Sequence, residues 1–229
     1  STNEQARQEY DSVAPNYNGI LGTPMGAIEC QLIRHALGDL TGLTVLDLGG
    51  GTGLRARDAI DLGATAVDVV DLAPGMLRVA EETEKSVGRN VMRFFEADVG
   101  KPLSHLPLRA EGYDVVMANW VLNYADSTDV LDAMLGNITG HLKPGGLFVG
   151  VRDANPRSPN YRSGKYGATV QSETPIAGGF KYSVVIHSDP PMQFEGVTLD
   201  VLNSGSPELY EKAGLTNVEI VPYERAEVV

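Results

Sequence analysis

The stretch from Val45 to Gly53, VLDLGGGTG, constrains this chain more than any other part of its 229 residues. Its apolar residues surround a single acid and are typical of a buried strand, and the glycines predict a turn that leads directly into a helix. Glycine accepts positive φ and lets a ligand approach the backbone, while the amides of the next helix face the ligand's polar end. The stretch therefore predicts a site for a flat, polar ligand, the alternative being a glycine-rich turn that binds nothing.

The glycine spacing separates two candidate ligands, a dinucleotide and S-adenosylmethionine. The dinucleotide fingerprint is G-x-G-x-x-G, but Leu54 occupies its third glycine position. Gly49, Gly51 and Gly53 instead form G-x-G-x-G, which resembles motif I of the class I S-adenosylmethionine-dependent methyltransferases. The resemblance implies that these glycines bind S-adenosylmethionine, with S-adenosylhomocysteine as the product.

Two acids in predicted strands extend this hypothesis. Asp47 lies inside the first strand, where burial is costly without a partner, so we expect it to order the glycine loop or meet the ligand's ammonium group. Asp71 ends a second strand, where nucleotide-binding sheets place a carboxylate on the ribose hydroxyls, although it could also cap the next helix. Leu72 and Met76 are expected to be apolar walls around the adenosine.

Two later segments resemble the same family. Ala97, Asp98 and Val99 follow a third strand. The resemblance implies that the Asp98 carboxylate accepts a hydrogen bond from the adenine amino group and that the adjacent backbone contacts the edge of the adenine ring. Asn119 and Trp120 follow a fourth strand. In the family the first backbone carbonyl of that segment holds the cofactor's ammonium end and its aromatic residues border the transferable methyl.

Three residues are candidates on the acceptor side. Tyr124, with Asn123 before it, belongs to the segment after the fourth strand. Tyr17 ends a Y-D-x-x-A-x-x-Y pattern that resembles the family's flap over the cofactor, and it matches the tyrosine at the methionine end. Tyr17 and His187 are candidate bases for a hydroxyl acceptor. Structural roles remain open for all three, and aromatic packing remains open for Trp120.

Strands and helices alternate from the first strand to about residue 153, which predicts right-handed crossovers and a parallel sheet. We therefore expect one α/β domain: a Rossmann-like, doubly wound sheet of about seven strands, mostly parallel, with an antiparallel last strand over 218–222 and helices on both faces. Extra strands are expected after strand five, over 180–187 and 193–202. The predicted parts are N-terminal helices and flap (1–40), cofactor-binding core (41–153), substrate lid and hairpin insertion (154–205), and final helix and strand (206–229).

The composition limits the classes of molecule that the chain is expected to bind. A net charge of −12 argues against nucleic-acid and anionic-membrane surfaces, so we expect a small-molecule acceptor. The single cysteine, Cys30, excludes an intrachain disulfide framework, and no signal peptide or membrane-spanning run is evident, so a cytoplasmic location is expected. No set of residues has metal-ligand spacing, and we expect no metal. Oligomeric state stays open.

The resemblance as a whole implies direct in-line transfer of a methyl group to a nitrogen or oxygen of the acceptor. Its narrower likeness is to small-molecule N- and O-methyltransferases such as the toxoflavin-type enzymes. Two alternatives remain: a catalytically silent module that binds S-adenosylmethionine as a scaffold or regulatory partner, and a nicotinamide-dependent oxidoreductase.

Overall fold

The computed structural model describes residues 2–152 and 155–227, so the predicted boundary between core and lid at 153–154 lies outside the described residues. The centre is a parallel sheet of five strands in the order β3-β2-β1-β4-β5. These strands are β1 (Thr44–Leu48), β2 (Ala66–Asp71), β3 (Met92–Glu96), β4 (Tyr113–Met117) and β5 (Leu142–Val149).

Helices cover both faces of this sheet, which confirms the doubly wound α/β fold. They are α1 (Thr2–Val13), α2 (Pro24–Leu37), α3 (Leu54–Asp61), α4 (Pro74–Ser86) and α5 (Thr128–His141), and 3-10 segments span Ala14–Gly22 and Leu122–Tyr124. Alternation along β1 divides the core, because Val45 packs towards α2 and α3 while Leu46 and Leu48 pack towards α5.

The parallel arrangement brings the ends of four strands to one edge of the sheet. Leu48 pairs with Val70, and Asp71 pairs with Glu96, so β1, β2 and β3 end side by side. The loops that leave this edge carry the glycines and the residues after β2, β3 and β4. Ligands of open α/β sheets bind at such an edge.

A second sheet lies beyond β5 in the chain. The predicted strand pair is present as β7 (Gly179–Ile186) and β8 (Met192–Leu199), and a short helix α6 (Pro159–Ser163) and a further strand β6 (Ala168–Ile176) precede it. The sequence predicted no strand between the start of the lid and residue 180, but β6 is present there and pairs with β7 from end to end. Pro175 obscured this strand, but an edge strand tolerates proline.

The predicted last strand is also wrong. Residues 218–222 are irregular, Ile220 is 71% exposed, and the described main sheet has five strands rather than about seven, all parallel. Asn217, at φ 54°, and Pro222 leave only four residues between them, and strand propensity without a packed partner stabilises little. The chain here forms α7 (Asp200–Asn203), α8 (Glu208–Lys212) and a 3-10 turn (Tyr223–Arg225).

Candidate active site

The glycine loop has the conformation that its sequence predicts. Gly49, Gly51 and Gly53 have φ values of 69°, 54° and 75°. A Cβ on Gly49 would lie 2.0 Å from a methyl group of Val121, whereas a Cβ on Gly51 would meet only the Met76 methyl at 3.9 Å. Gly49 is thus required by packing, and Gly51 faces open space.

Asp71 holds this loop against the start of α4. Its two carboxylate oxygens accept hydrogen bonds from the amides of Gly51 and Ala73, both at 2.8 Å. Burial raises the pKa of Asp71 to about 6, against the lowering effect of these bonds. Because a carboxylate can accept about four hydrogen bonds, Asp71 retains capacity for a ligand's hydroxyl groups.

Asp47 lies beneath the glycine loop, where a Cβ on Gly50 would be 2.7 Å from its Oδ2. The residue is 1% exposed, and its Oδ2 has no hydrogen-bond partner among the described residues. Burial, followed by the nearby Asp71 charge, raises the pKa of Asp47 to about 8. Of its two predicted roles, this position suits support of the loop.

A cleft of about 710 Å³ opens above the loop. Ten of the thirteen predicted cofactor residues line it: Tyr17, Gly49, Gly51, Asp71, Leu72, Met76, Asp98, Val99, Asn119 and Trp120. Asp47, Gly53 and Ala97 do not. Gly53 instead begins α3 in the left-handed conformation, and the Ala97 amide binds the Asp71 carbonyl at 3.0 Å.

The N-terminal segment closes the cleft, which the flap resemblance implies. Asn3 Nδ2 donates to Asp98 Oδ2 at 2.7 Å, at the end of the cleft predicted for adenine. Asp11 accepts from the Gly75 amide at the start of α4 at 2.5 Å, and Thr52 donates to Asn18 at 2.6 Å. Sequence patterns missed Asn3, Ala6, Arg7 and Tyr10 as lining residues, although the motif itself contains Tyr10.

The segment after β4 supplies the other end of the cleft. Both polar atoms of the Asn119 side chain are buried and have no hydrogen-bond partner among the described residues. Trp120 adopts φ 62°, which is unusual for a large side chain, and its indole donates to Glu29 Oε2 at 2.6 Å. Glu29 in turn pairs with buried Arg55 at 2.7 Å.

A second cavity of about 650 Å³ meets the cleft. The two share Tyr10, Tyr17, Trp120 and Tyr124 as walls. The hydroxyl oxygens of Tyr10 and Tyr124 are 2.8 Å apart, and burial raises the pKa of Tyr10, Tyr17 and Tyr124 above that of a free tyrosine. These hydroxyls therefore remain protonated at neutral pH and serve as hydrogen-bond donors rather than bases.

His187 lines neither cavity, so the structure does not bring this candidate base to the other site residues. It is exposed, and its Nε2 lies 3.0 Å from the Thr169 hydroxyl. The alternation of apolar residues along β7 predicts which side chains lie on the same face of the strand. His187 comes after Ile186, the last residue of β7, so the alternation does not apply to it. Within the predicted lid, Tyr161 lines the second cavity, whereas Arg162 is exposed and pairs with Glu173 at 2.8 Å.

The cleft fits S-adenosylmethionine. Gly51 leaves space beside the backbone, Asp71 offers acceptors for two hydroxyls, and the unpartnered Asn119 amide offers both a donor and an acceptor. Residues 45–146 match the family described as methyltransferase domain. This segment of the chain is a methyltransferase domain. S-adenosylmethionine is the cofactor of such domains, so the nicotinamide alternative is not supported.

Relatives of this methyltransferase domain have varied acceptors. A demethylmenaquinone methyltransferase of Lactococcus lactis is 28% identical over 70% of this chain and 63% of its own length. Phosphoethanolamine N-methyltransferase 1 of Triticum aestivum is 33% identical over 47% of this chain and 21% of its own. The chain thus spans less than two thirds of the length of these curated relatives.

Solved structures share the fold. The CcbJ methyltransferase of Streptomyces caelestis has a TM-score of 0.64 at 22% identity, over 96% of this chain and 91% of its own. CalS10, an amino pentose methyltransferase of Micromonospora echinaspora solved with S-adenosylmethionine bound, has a TM-score of 0.53 at 18% identity, over 86% of this chain and 84% of its own.

No helix within the described ranges has the length and apolar character to cross a membrane.

Proposed function

We propose that this chain transfers a methyl group from S-adenosylmethionine to a nitrogen or oxygen of a small molecule. One observation carries the proposal: the second cavity meets the cofactor cleft along four shared aromatic side chains. A molecule in the second cavity therefore borders the cleft directly. That adjacency is what a transfer without a covalent enzyme intermediate requires.

Each part of the cofactor has candidate residues in the cleft. Asp71 would accept hydrogen bonds from the ribose hydroxyls, and Asp98 would accept one from the adenine amino group. Asn119 would contact the polar methionine end. Leu72 and Met76 would cover the adenosine faces. One oxygen of Asp98 already accepts a hydrogen bond from the Asn3 side-chain amide. A carboxylate has about four acceptor sites, so Asp98 can accept a further hydrogen bond from a ligand.

The bound cofactor supplies a methyl group that is already strongly electrophilic. The chain's own residues have to orient the acceptor and exclude water. Tyr10, Tyr17, Trp120 and Tyr124 would do both, since they line the cofactor cleft and the second cavity alike. Tyr17 and Tyr124, proposed as catalytic residues from sequence, would act here by donating hydrogen bonds, because burial keeps them protonated.

The names of the relatives include both small-molecule and protein acceptors. Their names include demethylmenaquinone and phosphoethanolamine methyltransferases, and that of one structural neighbour includes an amino pentose. Another relative, from Deinococcus radiodurans, is a ribosomal protein L11 methyltransferase. For this chain the net charge of −12 disfavours nucleic acid as the acceptor, and a second cavity lined mainly by aromatic and aliphatic side chains favours a small molecule.

Incubation with methyl-labelled S-adenosylmethionine and a metabolite extract of the source organism tests the proposal. We expect label in the low-molecular-weight fraction, and no label with Asp71→Ala. Label only in protein or nucleic acid would contradict the small-molecule acceptor. Binding of S-adenosylhomocysteine without transfer to any fraction would instead support the silent scaffold.

A further inference from the structure

We propose that the acceptor is an uncharged, predominantly aromatic molecule. This inference rests on the proposed function and specifies the class of its substrate. It is carried by the composition of the second cavity, by the arrangement of its rings and by the distribution of charge around it.

Aromatic and apolar side chains form the walls of the second cavity. Seven of its lining residues are aromatic: Tyr10, Tyr17, Trp120, Tyr124, Tyr161, Tyr182 and Phe194. Ile20, Met25, Val184 and Ile186 add aliphatic surface, and no lining residue in the described part of the chain is charged. Such a wall binds a ligand chiefly by removing apolar surface from water, with a few polar groups to orient it.

The acids closest to these walls are already engaged. Glu29, which holds the Trp120 indole, is neutralised by Arg55 at 2.7 Å. Glu9 accepts hydrogen bonds from the Gln5 side chain at 2.9 Å and the Glu195 amide at 3.1 Å, and it does not line the cavity. The raised pKa values of the wall tyrosines keep them neutral as well. An acceptor with a net charge would therefore lack a counterion in the wall.

The ring arrangement argues against a cage for a cation. Phe194 lies 4.9 Å from Tyr10 at an interplanar angle of 31°, and 6.3 Å from Tyr17 at 80°. Tyr10 also packs on Tyr17 and, edge to face, on Tyr124. In the edge-to-face contacts the edge of one ring covers a face of the other, so part of the ring surface is already occupied by a neighbouring ring. A buried cation would lose several kcal/mol of hydration, while a desolvated ring face returns about 2 kcal/mol or somewhat more.

A phosphorylated or carboxylated acceptor fits still less well. Recognition of such anions uses Arg, Lys or backbone amides at a helix start. Arg162 follows the wall residue Tyr161, and Arg157 and Lys165 lie four residues from it on either side. Arg157 and Arg162 both pair with Glu173, and Lys165 lies over the exposed Tyr166 ring. None of these cations lines the cavity.

Calorimetry with three probes of one shape tests the inference: 2-naphthol, 2-naphthoate and 2-naphthylmethylammonium, at pH 7 and with S-adenosylhomocysteine at saturation. The probes share a ring system and differ in charge. We expect 2-naphthol to bind at least about tenfold more tightly than either ion, a difference of about 1.4 kcal/mol.

Two variants locate the binding. Phe194→Leu should weaken 2-naphthol about fivefold, because it removes a ring from the wall and leaves an aliphatic side chain. Tyr223→Leu is the matched control, since Tyr223 is 68% exposed and outside both cavities, and it should change nothing. Equal losses in both variants would overturn the assignment to this cavity.

The outcomes separate the two proposals. If S-adenosylhomocysteine does not bind, the proposed function fails. If it binds, but an ionic probe binds as tightly as 2-naphthol or none of the three binds, the acceptor class is wrong while the proposed function stands. Tighter binding of the ammonium probe would indicate an amine acceptor.

Discussion

The cofactor cleft and the second cavity are built in contrasting ways. The cleft depends on backbone conformation: three glycines at positive φ, amides bound to Asp71, and loops at one edge of a parallel sheet. The second cavity depends on side chains from α1, the 3-10 segments, α2, α6 and the antiparallel sheet. A cofactor shared by many proteins can be bound by one local pattern, whereas an acceptor is bound by whichever side chains the whole fold brings together.

The largest effect is expected from Gly49→Ala, compared with Gly51→Ala. Both positions have positive φ, but only the Gly49 methyl would collide with Val121. Gly49→Ala should destabilise the protein by about 3 kcal/mol, from overpacking added to left-handed strain, and Gly51→Ala by about 1 kcal/mol. Urea unfolding measures both, and Gly51→Ala should still impair S-adenosylhomocysteine binding. Equal destabilisation would show that the loop does not depend on this close approach.

Asp47→Asn tests the titratable group under the loop. The folded pKa of about 8 lies above the ordinary value of 3.8, so the folded state binds the extra proton between them. Wild-type stability from this group is fully present below about pH 4 and is lost as pH rises towards 8, at up to about 1.4 kcal/mol per pH unit.

The difference in unfolding free energy between wild type and Asp47→Asn, measured at pH 5, 6 and 7, should therefore shift steadily in favour of the variant. A constant difference would show that Asp47 is ionised throughout. The second cavity has no charged lining residue among those described, so 2-naphthol affinity should stay level over the same range.

Asp71→Ala and Phe194→Leu should have crossed effects. Asp71→Ala removes a charged acceptor and should weaken S-adenosylhomocysteine binding about 100-fold, or about 2.7 kcal/mol, with an unchanged circular dichroism spectrum. Phe194→Leu should leave that binding unchanged.

Protonation of Asp71 below its pKa of about 6 should likewise weaken cofactor binding in the wild type. Calorimetry with S-adenosylhomocysteine measures the affinity of the two variants at pH 7.5 and of the wild type at pH 5 and 7.5. An unaltered affinity in Asp71→Ala would refute the assigned cofactor site.

A smaller effect, about tenfold on methyl transfer, is expected from Glu29→Gln. The change weakens a charge-assisted bond to the Trp120 indole and leaves Arg55 with less compensation. Trp120 is the single tryptophan of the chain, so its fluorescence should shift without a large loss of stability. Glu111→Gln, an exposed acid paired with Arg109, is the control. Identical emission spectra would mean that Glu29 does not position Trp120.

The contrast between the two regions also explains what sequence predicted. Gly49, Gly51 and Asp71 were found because their roles follow from local backbone geometry. Two roles stayed open for Asp47 because its place beneath the loop depends on packing between layers, which periodicity does not give. Phe194 was missed although Met192, Phe194 and Gly196 alternate on one face, since alternation does not say what that face meets.

Errors clustered in the last third for the same reason. His187 was chosen by residue type, and strand 218–222 by propensity, but neither pattern contains the tertiary partner that would confirm it. β6 was hidden by Pro175, whose place on an edge strand becomes clear only from the pairing with β7.

The four shared aromatic walls have a thermodynamic consequence. A ligand that orders Tyr10, Tyr17, Trp120 and Tyr124 from the cleft side leaves less entropy to be lost by a ligand on the other side. Cofactor and acceptor should therefore bind with positive cooperativity, and linkage requires each to raise the other's affinity by the same factor. The methylated product and S-adenosylhomocysteine would inherit this coupling, so the departure of either one should loosen the other.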